Sequence, residues 1–124
     1  MRVLNLTQHA ATPEQIEAGV YDLTGEAKVE LVNLLTFDEL PALAEVDKRA
    51  LSIALIARKE GVFAAMVGGA PFLMGPLENA LLAERIEPLY AFSRRESIES
   101  VQADGSVRKS NVFRHIGFVS VRRD

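Results

Sequence analysis

The chain has 124 residues, of which 48% are hydrophobic and 25% charged, proportions that are typical of one globular domain and exclude a disordered or fibrous protein. The absence of cysteine excludes a disulfide framework and a thiolate metal site, and it suits a cytoplasmic protein. The net charge of −3 argues against bulk binding of long nucleic acid, and no apolar stretch is long enough to predict a membrane span.

The first half of the chain predicts one strand and three helices. Residues Arg2–Leu6 form a short apolar run that predicts a strand. The segment Thr12–Gln15 has a threonine, a proline and a glutamine in the order of a helix start, and Gly19 marks its end. Apolar residues at helical spacing predict two further helices, at about 26–35 and 42–60, the latter ended by Gly61.

The middle of the chain predicts a strand–helix–strand unit. Val62–Val67 is an uninterrupted apolar run bounded by glycines, which is typical of a strand buried on both faces of a parallel sheet. After Gly68 and Gly69, Pro71 opens another helix, and Pro88–Phe92 predicts a second buried strand. The crossover between two parallel strands is expected to be right-handed.

The C-terminal part predicts antiparallel structure. Asp104-Gly105 lies between residues 97–103 and 106–112, the arrangement of a hairpin, and Ile116–Val121 predicts one more strand. The elements together predict an α/β fold: a single Rossmann-like, three-layer domain over residues 1–124, with a parallel central sheet and an antiparallel C-terminal hairpin.

The charge is unevenly distributed along the chain. Residues 1–62 have ten acidic against six basic residues, a net charge of −4, whereas residues 88–124 have four acidic against seven basic residues, a net charge of +3. A basic end suits a small polyanion, although from charge alone a solvated hairpin face is the simpler explanation.

Three predicted strand ends carry polar residues. The first strand runs into Thr7-Gln8-His9, the second into Gly68-Gly69 and the third into Ser93-Arg94-Arg95. Ligands of open α/β sheets bind beyond the carboxyl ends of the parallel strands. Backbone N–H groups at a helix start and arginine side chains both favour anions, so these residues predict a site for a phosphate-bearing ligand.

Each of these residues also has a purely structural explanation. Gly68-Gly69 matches no phosphate-binding loop motif and suits an ordinary strand-to-helix turn, and His9 could be a structural hydrogen bonder. Only one of Arg94 and Arg95 can face the ligand, because neighbours on a strand point to opposite faces. We interpret His115, in an apolar segment, as a hydrogen-bonded structural histidine, and we expect neither a metal nor a cofactor.

Several short motifs resemble one known family. The segment His9–Gln15 is similar to the opening of small stand-alone CRISPR-associated proteins with a CARF-like Rossmann domain, and residues 88–95 resemble their YA(T/S)xR motif. Asp104-Gly-Ser-Val107 and residues 113–118 resemble their DGSV and FxHVxF motifs. The chain departs from the pattern at Val67-Gly-Gly-Ala70 and at Phe92, which bears on catalysis more than on fold.

The resemblance implies a function in antiviral defence. Members of that family act on cyclic oligoadenylate messengers, and some are ring nucleases in which the 2′-OH of the substrate attacks the adjacent phosphate without a metal. It implies His9 as acid or base, Arg95 and the Gly69 turn as phosphate contacts, and Ser93 as an orienting hydroxyl. The two-fold symmetry of such a ring further predicts a homodimer.

Two alternatives to an enzyme stay open from the sequence. The chain could sense a nucleotide without cleaving it. It could instead be a protein-interaction module of a mobile genetic element, in which case the glycines and helix termini are only requirements of the fold.

Overall fold

The computed structural model describes residues 1–122 and contains five strands and four helices. The strands are β1 (Val3–Leu6), β2 (Val20–Asp22), β3 (Ala64–Val67), β4 (Glu87–Val101) and β5 (Val107–Ser120). The helices are α1 (Pro13–Glu17), α2 (Gly25–Leu35), α3 (Leu43–Glu60) and α4 (Pro71–Ala83). Within the described part of the chain no helix is long and apolar enough to cross a membrane.

The strands form one sheet in the order β2-β1-β3-β4-β5. The first four strands are parallel to their neighbours, and β5 runs antiparallel to β4 at the edge. This is the Rossmann-like α/β fold that the sequence predicts, with a parallel centre and an antiparallel C-terminal hairpin. The β3–α4–β4 unit confirms the predicted strand–helix–strand segment.

The two faces of the sheet bury cores of different size. Leu4 and Leu6 of β1 and Ala65 and Val67 of β3 belong to the larger cluster, together with buried residues of α2, α3 and α4. The alternating residues Val3, Ala64 and Met66 lie in a smaller cluster on the other face, against which Ala11, just before α1, packs. Both β1 and β3 are buried along their whole length, as the uninterrupted apolar run in β3 predicts.

The starts and ends of the helices follow from local sequence. Thr12 caps α1 in a capping box: its hydroxyl accepts from the Gln15 backbone N–H, and the Gln15 side chain accepts from the Thr12 N–H. The longest helix, α3, ends at Gly61, which adopts the left-handed conformation with φ 73°. The predicted helices at 26–35 and 42–60 agree with α2 and α3 within one residue.

Two sequence expectations about the strands are wrong, and one strand was not predicted. The strand predicted at Pro88–Phe92 continues without a break to Val101, so Ser93, Arg94 and Arg95 lie inside β4 and not after its end. The separate strands predicted at 106–112 and 116–121 are one strand, β5, and a bulge opposite Phe92/Ser93 absorbs one extra residue. The strand β2 went unpredicted because three residues are too few for a periodic pattern.

Candidate functional site

The carboxyl ends of β1 and β3 lie side by side at the point where the chain reverses its direction across the sheet. From β1 the chain moves outward to β2, then returns to β3 on the other side of β1 and continues to β4. Right-handed connections therefore place α1 on one face and α2 to α4 on the other, which leaves a crevice between them. In open α/β sheets this crevice is the usual ligand site.

A pocket of about 360 Å³ occupies this position. This volume is near the lower end of the range for small-molecule sites, about 300–1,000 Å³. The pocket is lined by residues 7–10, Thr12, Gln15, residues 66–69, Tyr90 and Ala91. Two of the three predicted strand ends, Thr7-Gln8-His9 and Gly68-Gly69, thus share one pocket.

A buried asparagine shapes the loop that forms one wall of the pocket. Asn5 is fully buried in β1, and its amide donates to the His9 carbonyl and to Asp22 Oδ1, both at 2.8 Å. Its carbonyl oxygen accepts from the Thr7 N–H at 2.9 Å and the Thr7 hydroxyl at 2.7 Å. Asp22 also accepts from the Ala11 N–H at 3.1 Å. Asn5 therefore fixes the backbone from residue 7 to residue 11.

Thr7 and Gln8 are partly committed to structure. The Thr7 hydroxyl donates to Asn5, and the Thr7 carbonyl accepts from the Lys28 ammonium at 3.2 Å. The Gln8 amide donates to the Thr36 hydroxyl at 3.0 Å, which ties the loop to the end of α2. The Thr7 side chain therefore helps to build the wall, and Gln8 keeps its carbonyl oxygen as a hydrogen-bond acceptor.

His9 lies at the rim of the pocket. His9 is exposed, and its backbone carbonyl accepts hydrogen bonds from the Asn5 amide and the Thr7 hydroxyl. The backbone of His9 is thus fixed from beneath while its ring is accessible to solvent. An imidazole in such a position can exchange protons with a ligand that enters the pocket.

The glycine turn forms the opposite wall. A Cβ atom on Gly68 would lie 3.4 Å from the Thr7 methyl group, so the turn and the β1 loop approach each other closely. Gly69 has φ +150°, a conformation that side-chain-bearing residues rarely adopt. The helix α4 starts two residues later at Pro71 and points its N-terminus towards the crevice.

Tyr90 contributes an aromatic side chain that sequence reasoning missed. It follows the buried Leu89, and its hydroxyl donates to Glu78 Oε2 of α4 at 2.6 Å. Burial, and next the hydrogen bond to Glu78, raise the pKa of the Tyr90 phenol well above its usual value. Tyr90 therefore stays protonated at physiological pH. In the sequence, the only signal for a role of Tyr90 was its position close to the predicted site segment Ser93-Arg94-Arg95.

The third predicted segment is not part of the pocket wall. Ser93, Arg94 and Arg95 follow Ala91 along β4 and are exposed, beyond the carboxyl edge of the parallel strands. At about 3.4 Å per residue, Arg95 lies some 14 Å further along the strand than Ala91. Ser93 and Arg95 share one face of β4 and Arg94 lies on the other, as alternation predicts.

His115 lies directly opposite Ser93 on β5 and packs its ring against Phe118, with 4.8 Å between the ring centroids. Both ring nitrogens are buried, and neither has a hydrogen-bond partner among residues 1–122. The packing agrees with a structural role. The expected hydrogen bond is wrong, because among residues 1–122 the ring packs against Phe118 and neither nitrogen has a hydrogen-bond partner.

Within residues 1–122 no group of three or more His, Asp or Glu side chains is placed to hold a metal ion. The chemistry that the described site offers is hydrogen bonding from an imidazole, amides and hydroxyls, together with one phenol and the backbone of the glycine turn.

Comparison with known proteins gave one match. The model of a family described as the Uncharacterized protein MJ1673 family matches residues 1–119. A search of curated proteins and a search of solved structures found no match.

Proposed function

We propose that this chain, which belongs to the uncharacterized MJ1673 family, binds a small phosphate-bearing nucleotide in the crevice between β1 and β3. The observation that carries the proposal is the coincidence of a pocket with the reversal of strand order. That position places loop side chains, a glycine turn and the Tyr90 side chain around one cavity, next to the start of α4.

The polar groups suggest how a nucleotide is held. None of the described residues that line the pocket is a lysine or arginine, so neutral donors and acceptors dominate. Gln8 and Thr12 offer hydrogen bonds to a base or ribose, and the backbone of Gly68 and Gly69 at the start of α4 suits a phosphate. Arg95, beyond the rim on β4, supplies the cation that the wall itself lacks.

The ligand class that we propose is a cyclic oligoadenylate. A pocket of about 360 Å³ is small for a whole ring, so it would receive one nucleotide unit. The rest of the ring would then lie over the rim, where His9, Ser93 and Arg95 are exposed. A ring with two-fold symmetry would use the same pocket on two copies of the chain.

Cleavage of such a ring needs only groups at the rim. The ribose 2′-oxygen attacks the adjacent phosphorus in line, the new O2′–P bond forms, and the P–O5′ bond breaks. The proton of the 2′-OH leaves to a base and the 5′-oxygen gains a proton, a transfer for which His9 is the candidate. Arg95 would stabilise the charge that develops on the phosphoryl oxygens, and Ser93 would orient the phosphate. The products are a linear oligonucleotide with a 2′,3′-cyclic phosphate and a free 5′-hydroxyl.

Calorimetric titration with cyclic tetra-adenylate, together with chromatography of the products, tests both parts of the proposal. We expect binding to the wild-type chain, weakened about tenfold or more in Arg95→Ala, which removes a charge-assisted phosphate contact. Arg58→Ala is the matched control, because Arg58 is an exposed arginine of α3 whose ion pair with Glu84 is at the surface.

The His9→Ala variant separates catalysis from binding. If His9 transfers the proton, this variant binds the ring with near wild-type affinity and forms linear product at least about a hundredfold more slowly. An intact ring with the wild-type protein would refute cleavage and leave the sensing function. The absence of binding to cyclic oligoadenylates and to AMP would refute the whole proposal.

A further inference from the structure

A second cavity lies at the amino ends of the parallel strands, on the opposite edge of the sheet from the crevice. Its volume is about 500 Å³, against about 360 Å³ for the crevice, and the two share no lining residue. We call it the amino-edge cavity. Its wall includes Phe63, just before β3, Glu87, the first residue of β4, and Leu82, Arg85 and Ile86, at and just after the end of α4.

Arg85 has a backbone conformation that a side chain disfavours. Among residues 1–122 it is the one non-glycine residue with positive φ, at 59°. The end of α4 explains the angle: the Arg85 N–H donates to the Leu82 carbonyl at 3.0 Å. The Ile86 N–H donates to the Leu81 carbonyl at 2.9 Å, and this pair of bonds requires a left-handed residue, usually glycine, at the position of Arg85. Gly61 has that conformation after α3. An arginine here lowers stability relative to glycine, so the helix end does not explain its side chain.

The charged groups of the amino-edge cavity are not used by the fold. Within residues 1–122, neither the Arg85 guanidinium nor the Glu87 carboxylate makes a hydrogen bond or an ion pair. The neighbouring carboxylate of Glu84 pairs instead with Arg58 of α3, with 3.5 Å between nitrogen and oxygen. One cation and one anion therefore line the same cavity without neutralising each other.

The rest of the wall is largely apolar. The Phe63 residue is 82% exposed, although its neighbours Val62 and Ala64 are buried. Leu82 is half-buried, and Ile86 belongs to the larger core cluster, which fixes this part of the wall. An apolar group that enters the cavity would leave water together with the surfaces of Phe63 and Leu82, which is favourable.

The pattern of charges selects a class of ligand. A guanidinium matches a carboxylate, to which it can donate two parallel N–H bonds, and a carboxylate matches an ammonium group. A molecule with a carboxylate, an ammonium group and an apolar part matches all three portions of the wall. Free α-amino acids with apolar side chains are small molecules of this kind. The volume lies within the range of about 300–1,000 Å³ for small-molecule sites. A nucleotide, by contrast, brings no positive group for Glu87.

We propose that the amino-edge cavity binds an apolar α-amino acid as its zwitterion. The carboxylate of the ligand pairs with Arg85, its ammonium group pairs with Glu87, and its side chain packs against Phe63 and Leu82. Arg122, in the same wall, adds to the positive charge around the cavity. The proposal explains an arginine at a position that favours glycine, because glycine there would remove the carboxylate contact. The site does not depend on nucleotide binding in the crevice.

Calorimetric titration of the full chain with L-phenylalanine tests the ligand class. Phenylpropionate, which lacks the ammonium group, and phenylethylamine, which lacks the carboxylate, are the matched probes. We expect L-phenylalanine to bind at one site per chain and each probe to bind about tenfold or more weakly, because each loses one ion pair. Equal affinity for all three would overturn the zwitterion. The absence of binding to L-phenylalanine, L-leucine and L-methionine would overturn the whole proposal.

Two variants locate the site. Arg85→Gly relieves the left-handed backbone, so the melting temperature should rise by roughly 3–5 °C while L-phenylalanine binds about tenfold or more weakly. Glu87→Gln should weaken L-phenylalanine to a similar extent and leave phenylpropionate unchanged. Lys48→Ala is the control, since Lys48 is an exposed cation of α3 that does not line the cavity. Wild-type affinity in Arg85→Gly, or a lower melting temperature in that variant, would overturn the proposal.

Discussion

Replacing Asn5 by alanine tests whether a buried amide holds the pocket wall. Asn5 makes four hydrogen bonds of 2.7–2.9 Å, to Thr7, His9 and Asp22, from a fully buried position. The Asn5→Ala variant removes all four and leaves a carboxylate oxygen, a backbone N–H, a hydroxyl and a carbonyl without this partner. No other side chain of β1 can replace it, because Val3, Leu4 and Leu6 are apolar.

The expected loss of stability in Asn5→Ala depends on the environment of each hydrogen bond. The bond to the Asp22 carboxylate is charge-assisted, with a typical value of about 1.5–3 kcal/mol, and neutral bonds contribute about 1 kcal/mol each. Thr7 and the loop at His9 are partly exposed, so water replaces part of their loss. The free energy of unfolding should therefore fall by about 2–4 kcal/mol. For a chain of this size the melting temperature should fall by roughly 10 °C.

Urea unfolding followed by circular dichroism measures this change. The midpoint should fall while the slope with denaturant stays constant, because the extent of the fold is unchanged. Asn33→Ala, at an exposed position of α2, is the control and should change stability by less than about 1 kcal/mol. A loss below about 1 kcal/mol in Asn5→Ala would refute the argument that this residue organises the loop.

Three further predictions concern other positions around the site and the β4–β5 hairpin. Free phenols titrate near pH 10, whereas the pKa of Tyr90 is raised in the folded protein, so Tyr90 keeps its proton in the folded state at a pH where it loses it in the unfolded state. The free energy of unfolding should therefore fall as the pH rises above about 10, and it should fall less steeply in Tyr90→Phe. Gly69→Ala forces a side chain into φ +150° and should cost about 1–3 kcal/mol in urea unfolding. His115→Phe removes two buried nitrogens without partners among the described residues and keeps the contact with Phe118, so thermal unfolding should show equal or slightly higher stability.

Each of these predictions has a matched comparison. Gly75→Ala, in the interior of α4 with φ outside the left-handed region, should change stability by less than about 1 kcal/mol, because crowding against Pro76 offsets the gain in helix propensity. Equal effects of the two glycine variants would contradict the strain argument. An unchanged pH slope in Tyr90→Phe, or a loss above about 1 kcal/mol in His115→Phe, would contradict the other two.

The sequence predicts the elements whose signals are local. The capping box at Thr12 and Gln15, the helical spacing in α3 and the apolar run before Gly68 each determine one element, and the structure contains all three. Parallel pairing alone brings the carboxyl ends of β1 and β3 to the same edge of the sheet. The two walls of the pocket, which follow these strand ends, could therefore be predicted from the sequence.

What the sequence left open depends on tertiary contacts. The strand β2 has three residues and is held by pairing with β1 and by the Asp22–Asn5 bond, neither of which leaves a periodic pattern. The length of β4 depends on its pairing with β5 as far as Val101, since nothing local ends the strand after Phe92. Asn5 belongs to no sequence motif, and its role appears only when the loop folds over it.

The continuity of β4 links the interior of the protein to its outermost point. One strand holds Leu89 in the core, Tyr90 and Ala91 at the pocket, and Val101 at the tip of the β4–β5 hairpin. Its pairing with β5 is irregular between Phe92 and Ser93, where a bulge bends the ribbon just beyond the pocket wall. The direction in which the hairpin leaves the sheet is therefore set next to the pocket.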